Sequence, residues 1–355
     1  MTIGEDTDFA ETPARGLPLG VPPRSDPGYP SDPGYGTDPG YRSDPGYRSD
    51  PGYRGNPAYR RAPAPAPAYG LAGARPAVPA FPARPQPWPK VSVVIPTLNE
   101  ARNLPHVFAE LPPGLHEVII VDGNSVDDTV ATARRLRPDV RIIQQNRCGK
   151  GNALACGFAA ATGDIIAMVD ADGSADPAEI PAFVQALLDG ADFAKGTRFA
   201  AGGGSSDITR LRRLGNRILS GLVNTLCRTR YSDLCYGYNA FWRRHVPVFG
   251  LQPESDVPHG DGTRLWGDGF EVETLINIRV AQAGLAVTEV ASYEHSRIHG
   301  VSNLNATSDG WRVLRTIFAE RYYHHQRQKA QRKDQKAQRK DQKAQRKLSS
   351  AGREA

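Results

Sequence analysis

Between residues 90 and about 325 the chain alternates short apolar runs with amphipathic stretches. Val91-Ser92-Val93-Val94-Ile95, stopped by Pro96, has the continuous apolar character of a strand buried on both faces. Glu117–Val121, Val140–Ile143, Ile165–Val169 and Ala286–Val290 repeat that signature. Between them, Asn103–Leu111, Asp128–Leu136, Gly151–Ala161 and Pro177–Leu188 space their apolar residues as helices do. Strands alternating with helices predict an α/β fold, with a mixed, mostly parallel sheet sandwiched by helices. Roughly 235 residues suffice for one well-buried core. Ile208–Arg228 also reads as a helix. Leu211, Leu214, Ile218, Leu222 and Leu226 form its apolar stripe, which suits packing on the body or a membrane interface equally, and Arg213 and Arg217 share another face at i,i+4 spacing.

The two ends break this pattern. In residues 1–89, Ser25-Asp26-Pro27-Gly28-Tyr29 recurs at Ser31–Tyr35, Thr37–Tyr41, Ser43–Tyr47 and Ser49–Tyr53, with a drifted copy at Gly55–Tyr59. Pro removes an amide donor and Gly is costly to order, so the segment is expected to be a disordered tail. A Tyr-studded binding tail is the functional alternative. In residues 326–355, Lys329–Gln335 repeats at Lys336–Gln342 and begins again at Lys343–Lys347. Its one apolar residue per heptad is Ala, so no coiled-coil seam exists. Arg332, Lys336 and Lys340 are like charges at i,i+4. A solvated, disordered basic tail is expected, with contact to an anionic membrane surface as the sharper reading.

Charge follows the same division. The net +6 arises from 0 in residues 1–89, −3 in residues 90–320 and +9 in residues 321–355. A slightly acidic body argues against a nucleic-acid partner. The four cysteines include no CxxC pair, which argues against a structural zinc site. No secretory h-region follows Met1, and no apolar run is long enough to span a bilayer. The expected location is cytoplasmic, at most peripheral at the inner face of a membrane.

Ligands of open α/β sheets gather at the carboxyl ends of strands. Three such ends here carry small polar and acidic residues: Pro96-Thr97-Leu98-Asn99-Glu100, Asp122–Asp128, and Asp170-Ala171-Asp172-Gly173-Ser174. Asp170 and Asp172 stand at i and i+2, where two carboxylates repel unless a cation neutralises them. Mg²⁺ or Mn²⁺ held by such carboxylates and by phosphate oxygens suits that chemistry, whereas a turn with a helix cap at Asp176 is the bland alternative.

These segments, with Gly149-Lys150-Gly151-Asn152-Ala153, resemble the family 2 glycosyltransferases, whose fold is the Rossmann-like GT-A type. Lys195–Phe199, Arg217 with Ser220 and Asn224, Asp233–Tyr238, Gly269–Glu273 and Arg297–Asn303 resemble the branch of dolichyl- and polyprenyl-phosphate mannosyl- and glucosyltransferases. The resemblance spans about residues 90–320. It implies a nucleotide-sugar donor bound by Pro96, Thr97, Asn99 and Glu100, with Asp122 near base and ribose. It implies that Lys150 complements the diphosphate. Asp170 and Asp172 would be the metal pair, and Arg198 would face an anionic acceptor or help close the site. It also implies an inverting, single-displacement reaction. Gly123 and Ser174 depart from residues common in that branch, so the base and the sugar stay open.

A hydroxyl acceptor needs a carboxylate to take its proton, and Asp268, Glu271 and Glu273 are the candidates. A lipid-phosphate acceptor is already anionic, and arginines would hold it. Arg213 and Arg217 are candidates for that clamp, a solvated face being the bland alternative, and Arg297 and Ser302 are further substrate-binding candidates. Glu271 and Glu273 share a face only if their segment is extended. Gly202-Gly203-Gly204 reads as a lid rather than a phosphate loop, lacking the Lys-Ser/Thr that such loops require. The reading is therefore hexose transfer to a polyprenyl phosphate. The alternatives are transfer to a sugar or metabolite hydroxyl in cell-envelope biosynthesis, nucleotidyl transfer, and a non-catalytic binding scaffold. Nucleotidyl transfer fits poorly, since Pro96–Glu100 contains no Gly, Lys or Arg.

Overall fold

The computed structural model describes residues 88–253, 265–300 and 306–351. The Asp-Pro-Gly-Tyr repeats and Ser302 lie outside the described residues. The first half runs β1 (Val91–Thr97), α1 (Leu104–Ala109), β2 (Glu117–Asp122), α2 (Thr129–Leu136), β3 (Arg141–Gln144), α3 (Lys150–Ala160), β4 (Ile165–Met168) and α4 (Ile180–Leu188). The second runs β5 (Phe193–Thr197), β6 (Gly204–Ser205), α5 (Arg210–Cys227), β7 (Asn239–Trp242), α6 (Val246–Phe249), α7 (Val272–Gln282), β8 (Val287–Ala291), β9 (Tyr293–Glu294) and α8 (Ala306–Ala351).

Seven strands form one sheet in the order β3-β2-β1-β4-β7-β5-β8. β1 pairs in parallel with β2 and β4, β2 with β3, and β5 with β8. β7 is antiparallel to both neighbours and joins the halves. β6 and β9 form a separate small sheet.

Each apolar strand supplies both faces because side chains alternate. Val93, Ile95, Val118 and Ile120 pack under α1, α2 and α4 with Leu104, Val107 and Phe183. Val94, Ile119, Val121 and Met168 face the opposite way, against Leu154, Phe158, Phe249 and Ile276 of α3, α6 and α7. A third cluster of Val223, Leu234, Ile278, Val313 and Ile317 fastens α5 and α8 to α7.

Two strands of this sheet carry weak sequence signals. β5 places Lys195 at zero exposure, its ammonium donating to the Tyr236 carbonyl at 2.9 Å. A lysine in a five-residue strand masks its buried character. β7 begins with Asn239, and its place between β4 and β5 follows from chain reversal, which hydropathy does not encode.

One expectation changes. The basic segment expected to be a disordered tail continues as helix to Ala351. Its N-terminal turns are anchored by Val313 and Ile317, and extending a nucleated helix through Ala, Gln, Lys and Arg costs little. The apolar stripe of α5 does not pack along its whole length. Leu222 and Leu226 lean on the third cluster, while Leu211, Leu214 and Ile218 are 64%, 56% and 62% exposed. The buried face of α5 is instead formed by Asn216, Ser220 and Val223.

Candidate active site

The carboxyl ends of β1, β2 and β4 lie side by side, so the three acidic and polar loops meet. β4 hands the chain to Asp170 and Asp172, and Gly173 turns it at φ +75°, a left-handed conformation that suits glycine. The Asp172 carboxylate accepts from the Ser174 amide at 2.9 Å, which fixes the turn.

Lys150 opens α3. Gly149 precedes it at φ +107°, and a Cβ there would sit 2.2 Å from the Asp268 carbonyl oxygen, so the approach requires glycine. The Lys150 ammonium bridges Asp170 Oδ1 and Glu273 Oε1, each at 2.6 Å. These two carboxylates hold its proton well above the usual lysine range, against the opposing effect of burial.

Arg297 closes the other side. It reaches Asp172 Oδ2 at 3.1 Å and Glu100 Oε1 at 3.0 Å. Burial pushes the Glu100 carboxyl up, while its bonds to Asn103 and Arg297 pull the other way. Asn103 also accepts from the His299 amide at 3.0 Å, tying the Arg297 loop to the start of α1. Lys150 with Asp170 and Glu273, and Arg297 with Asp172 and Glu100, therefore form two ion-pair triads that the Asp170-Ala171-Asp172 segment links into one cluster.

Thr97 is buried, with its hydroxyl directed at the Val121 carbonyl, and Pro96 is half-buried beside it. Asn99 takes φ +59° and accepts from the Val126 amide at 2.9 Å, locking the β1 loop to the β2 loop. Asp122 Oδ2 accepts from the Asn124 and Ser125 amides, each at 3.1 Å, whereas its buried Oδ1 has no protein partner.

The three candidate bases have separate fates. Asp268 is held by Arg147 through two bonds of 2.8 and 2.9 Å. Glu271 stands at the head of α7 and Glu273 in its first turn, so the segment is not extended and they do not share a face. Glu271 is buried and accepts from the Gly269 amide at 3.2 Å, and burial pushes its carboxyl up. Glu273 belongs to Lys150. Arg147 carries no sequence signal of its own, although it stands three residues before Lys150; only its contact with Asp268, 121 residues away, reveals its role.

Arg198, expected to face an acceptor or to help close the site, turns inward onto two carboxylates. It is 6% exposed and holds Asp233 at 2.7 and 2.9 Å and Glu294 at 3.0 and 3.1 Å, stacked 4.9 Å from the Tyr236 ring centroid. With both carboxylates satisfied it joins β5 to β9 as a structural knot. Arg213 and Arg217 stand exposed on α5, and no bond joins their side chains to the cluster.

The donor set fits a divalent cation. Both carboxylates of the pair are met by basic side chains, so this corner of the fold stabilises positive charge against them. Among the described residues no three His, Cys, Asp or Glu side chains converge as a closed metal cage. A hard cation on Asp170 and Asp172 would thus complete its shell with ligand oxygens, as Mg²⁺ and Mn²⁺ commonly do.

A mostly parallel sheet with an acidic and basic cluster at its strand ends puts the candidate site where open α/β folds bind their ligands. Residues 92–247 match the Glycosyl transferase family 2 model. An uncharacterized glycosyltransferase of Mycobacterium tuberculosis is 32% identical over 232 residues, covering 63% of this chain and 97% of that protein. The chain belongs to the family 2 glycosyltransferases, and it is a glycosyltransferase. A dolichol-phosphate mannosyltransferase of Pyrococcus furiosus is 36% identical over 121 residues, 32% of this chain and 34% of the relative. Glucosyl-3-phosphoglycerate synthase of M. tuberculosis, crystallised with Mn²⁺, UDP-glucose and phosphoglyceric acid, shares the GT-A fold at TM-score 0.51. Its identity is 24%, over 66% of this chain and 80% of that one.

Proposed function

We propose that the protein transfers a hexose from a nucleoside-diphosphate sugar to a lipid phosphate of the polyprenyl type, with inversion and with a divalent cation. The donor half is carried by one observation: Lys150, Asp170, Asp172 and Arg297 converge at the strand ends. Asp170 and Asp172 would hold the cation. When bound, it stabilises the charge that develops on the leaving diphosphate. Lys150 and Arg297 supply further positive charge at the same place, exchanging carboxylate partners for phosphate oxygens. The unpartnered Oδ1 of Asp122 is an acceptor for a base or ribose donor at the end of β2.

The acceptor half is supported by the state of the carboxylates. Asp268 and Glu273 are each held by a basic side chain, which leaves Glu271, with Oε1 on the Gly269 amide and its buried Oε2 without a partner, as the one candidate base still open. A phosphate acceptor needs none, since its oxygen is already anionic. The dolichol-phosphate name of the archaeal relative agrees with this choice. The second reading, transfer to a hydroxyl of a small metabolite, is favoured by the phosphoglyceric acid with which the mycobacterial synthase was crystallised. There, Glu273 would leave Lys150 and act as the base.

The experiment is calorimetric titration of UDP- and GDP-sugars with and without Mn²⁺, on wild type and Asp172→Ala, followed by transfer assays with a short-chain prenyl phosphate and with phosphoglycerate. Metal-dependent binding of one nucleotide, lost in the variant, supports the donor site. Absence of binding by folded protein overturns it. Transfer to phosphoglycerate alone, abolished by Glu273→Gln, replaces the lipid reading with the second.

A further inference from the structure

Six of the large apolar side chains that stand exposed lie on two helices: Leu211, Leu214 and Ile218 on α5, and Trp311, Phe318 and Tyr322 on α8. Neither group is scattered. Leu211, Leu214 and Ile218 follow i, i+3, i+7, and Trp311, Phe318 and Tyr322 follow i, i+7, i+11, so each set occupies one helical face. On α8 this face is opposite Val313 and Ile317, the residues that anchor the helix to the body. The outward orientation is thus imposed by packing on the other side.

The charge on these faces has one sign. The sequence of α5 contains no acidic residue, and exposed Arg210, Arg213 and Arg217 line one flank of its apolar stripe. On α8 between Gly310 and Lys336 the acids are Glu320, which is buried and paired with Arg279 at 2.9 Å, and exposed Asp334, whose spacing from Trp311 and Tyr322 puts it off the aromatic face. Continuing down the aromatic face of α8, the next positions in the same spacing are Lys329, Lys333 and Lys336, all exposed.

We propose that the outward faces of α5 and α8 dock on an anionic bilayer surface. Leu, Ile, Phe and Trp enter the headgroup boundary, Tyr and Trp keep a polar atom in it, and Arg and Lys extend to lipid phosphates. A second copy of the chain is a poorer occupant, because a two-fold contact would set these basic flanks against themselves. No described helix is long and apolar enough to cross a membrane, so the contact is peripheral. This surface extends the lipid-acceptor reading, but it rests on its own residues.

The test is flotation of the full chain with phosphatidylcholine vesicles, with and without about 30% phosphatidylglycerol, at low and high salt. Wild type is expected to float with the anionic vesicles and to dissociate at high salt. Lys329→Glu/Lys333→Glu/Lys336→Glu should lower the partition coefficient at least a hundredfold, since each basic residue at the surface contributes about 1 kcal/mol. Trp311→Ser/Phe318→Ser should lower it at least tenfold at unchanged charge. All five positions are exposed, and circular dichroism checks that the variants fold. Failure of wild type to float, equal binding to neutral vesicles, or indifference to both variants overturns the proposal. So does a stable dimer in light scattering that Trp311→Ser/Phe318→Ser dissociates. Calorimetric nucleotide binding by the same variants reads the donor site separately. A protein that binds nucleotide and ignores vesicles loses this proposal alone, whereas one that floats and binds no nucleotide loses the functional reading alone.

Discussion

Replacing Lys150 by Met removes the charge on which the centre of the cluster depends. Its ammonium lies 2.6 Å from Asp170 Oδ1 and 2.6 Å from Glu273 Oε1, so those oxygens are no more than about 5 Å apart. Without the ammonium, two carboxylates at that separation repel by about 3 kcal/mol at an effective dielectric of about 20. Breaking a buried pair by removing one partner costs about 3–5 kcal/mol, and the side chain of Asp170, 35% exposed, moves the expectation to the lower end. We expect Lys150→Met to lose about 3 kcal/mol in urea unfolding at pH 7.5. Mn²⁺ should raise the stability of the variant more than that of wild type, because a divalent ion can take the vacated position. A loss under about 1 kcal/mol would refute the electrostatic account of the cluster.

Two further outcomes follow from groups outside the cluster. Burial pushes the Glu179 carboxyl up to about 7, against its bonds to Ser292 and the Tyr293 amide. Its stabilising contribution is therefore complete below the unfolded value of 4.5 and is lost as pH rises through about 7, and thermal unfolding of Glu179→Gln should lack the wild-type decline between pH 5 and 8. Arg198→Ala leaves Asp233 and Glu294 buried without their partner. A loss of about 3–5 kcal/mol in chemical unfolding is expected, with nucleotide affinity little changed under conditions where the variant is folded; a tenfold loss of affinity would return Arg198 to the site.

What the linear chain determined is local. The apolar runs of β1, β2 and β4 are strong because both faces of those strands are buried, and burial on both faces is written directly as consecutive Val and Ile, whereas β3 and β8 at the sheet's edges are only part-buried. The strand-end loops were legible for the same reason, since a polar segment after such a run must emerge at the sheet's edge. Asp170 and Asp172 needed only their spacing. The partners of these residues are another matter. Arg297 meets Glu100 across 197 positions, and Arg147 meets Asp268 across 121. Ion pairs over such separations leave no periodic trace. Arg198 shows the consequence: its motif suggested an acceptor contact, and tertiary packing gave its guanidinium to Asp233 and Glu294. The same holds for α5, whose periodicity established an amphipathic helix. Which face turns inward was decided by where Val313, Ile317 and Ile278 stand, leaving Leu211, Leu214 and Ile218 outside. Short-range patterning fixes which segments form and which positions share a side. Only the packed chain decides what each side meets, because that depends on contacts whose energies exist once distant segments are brought together.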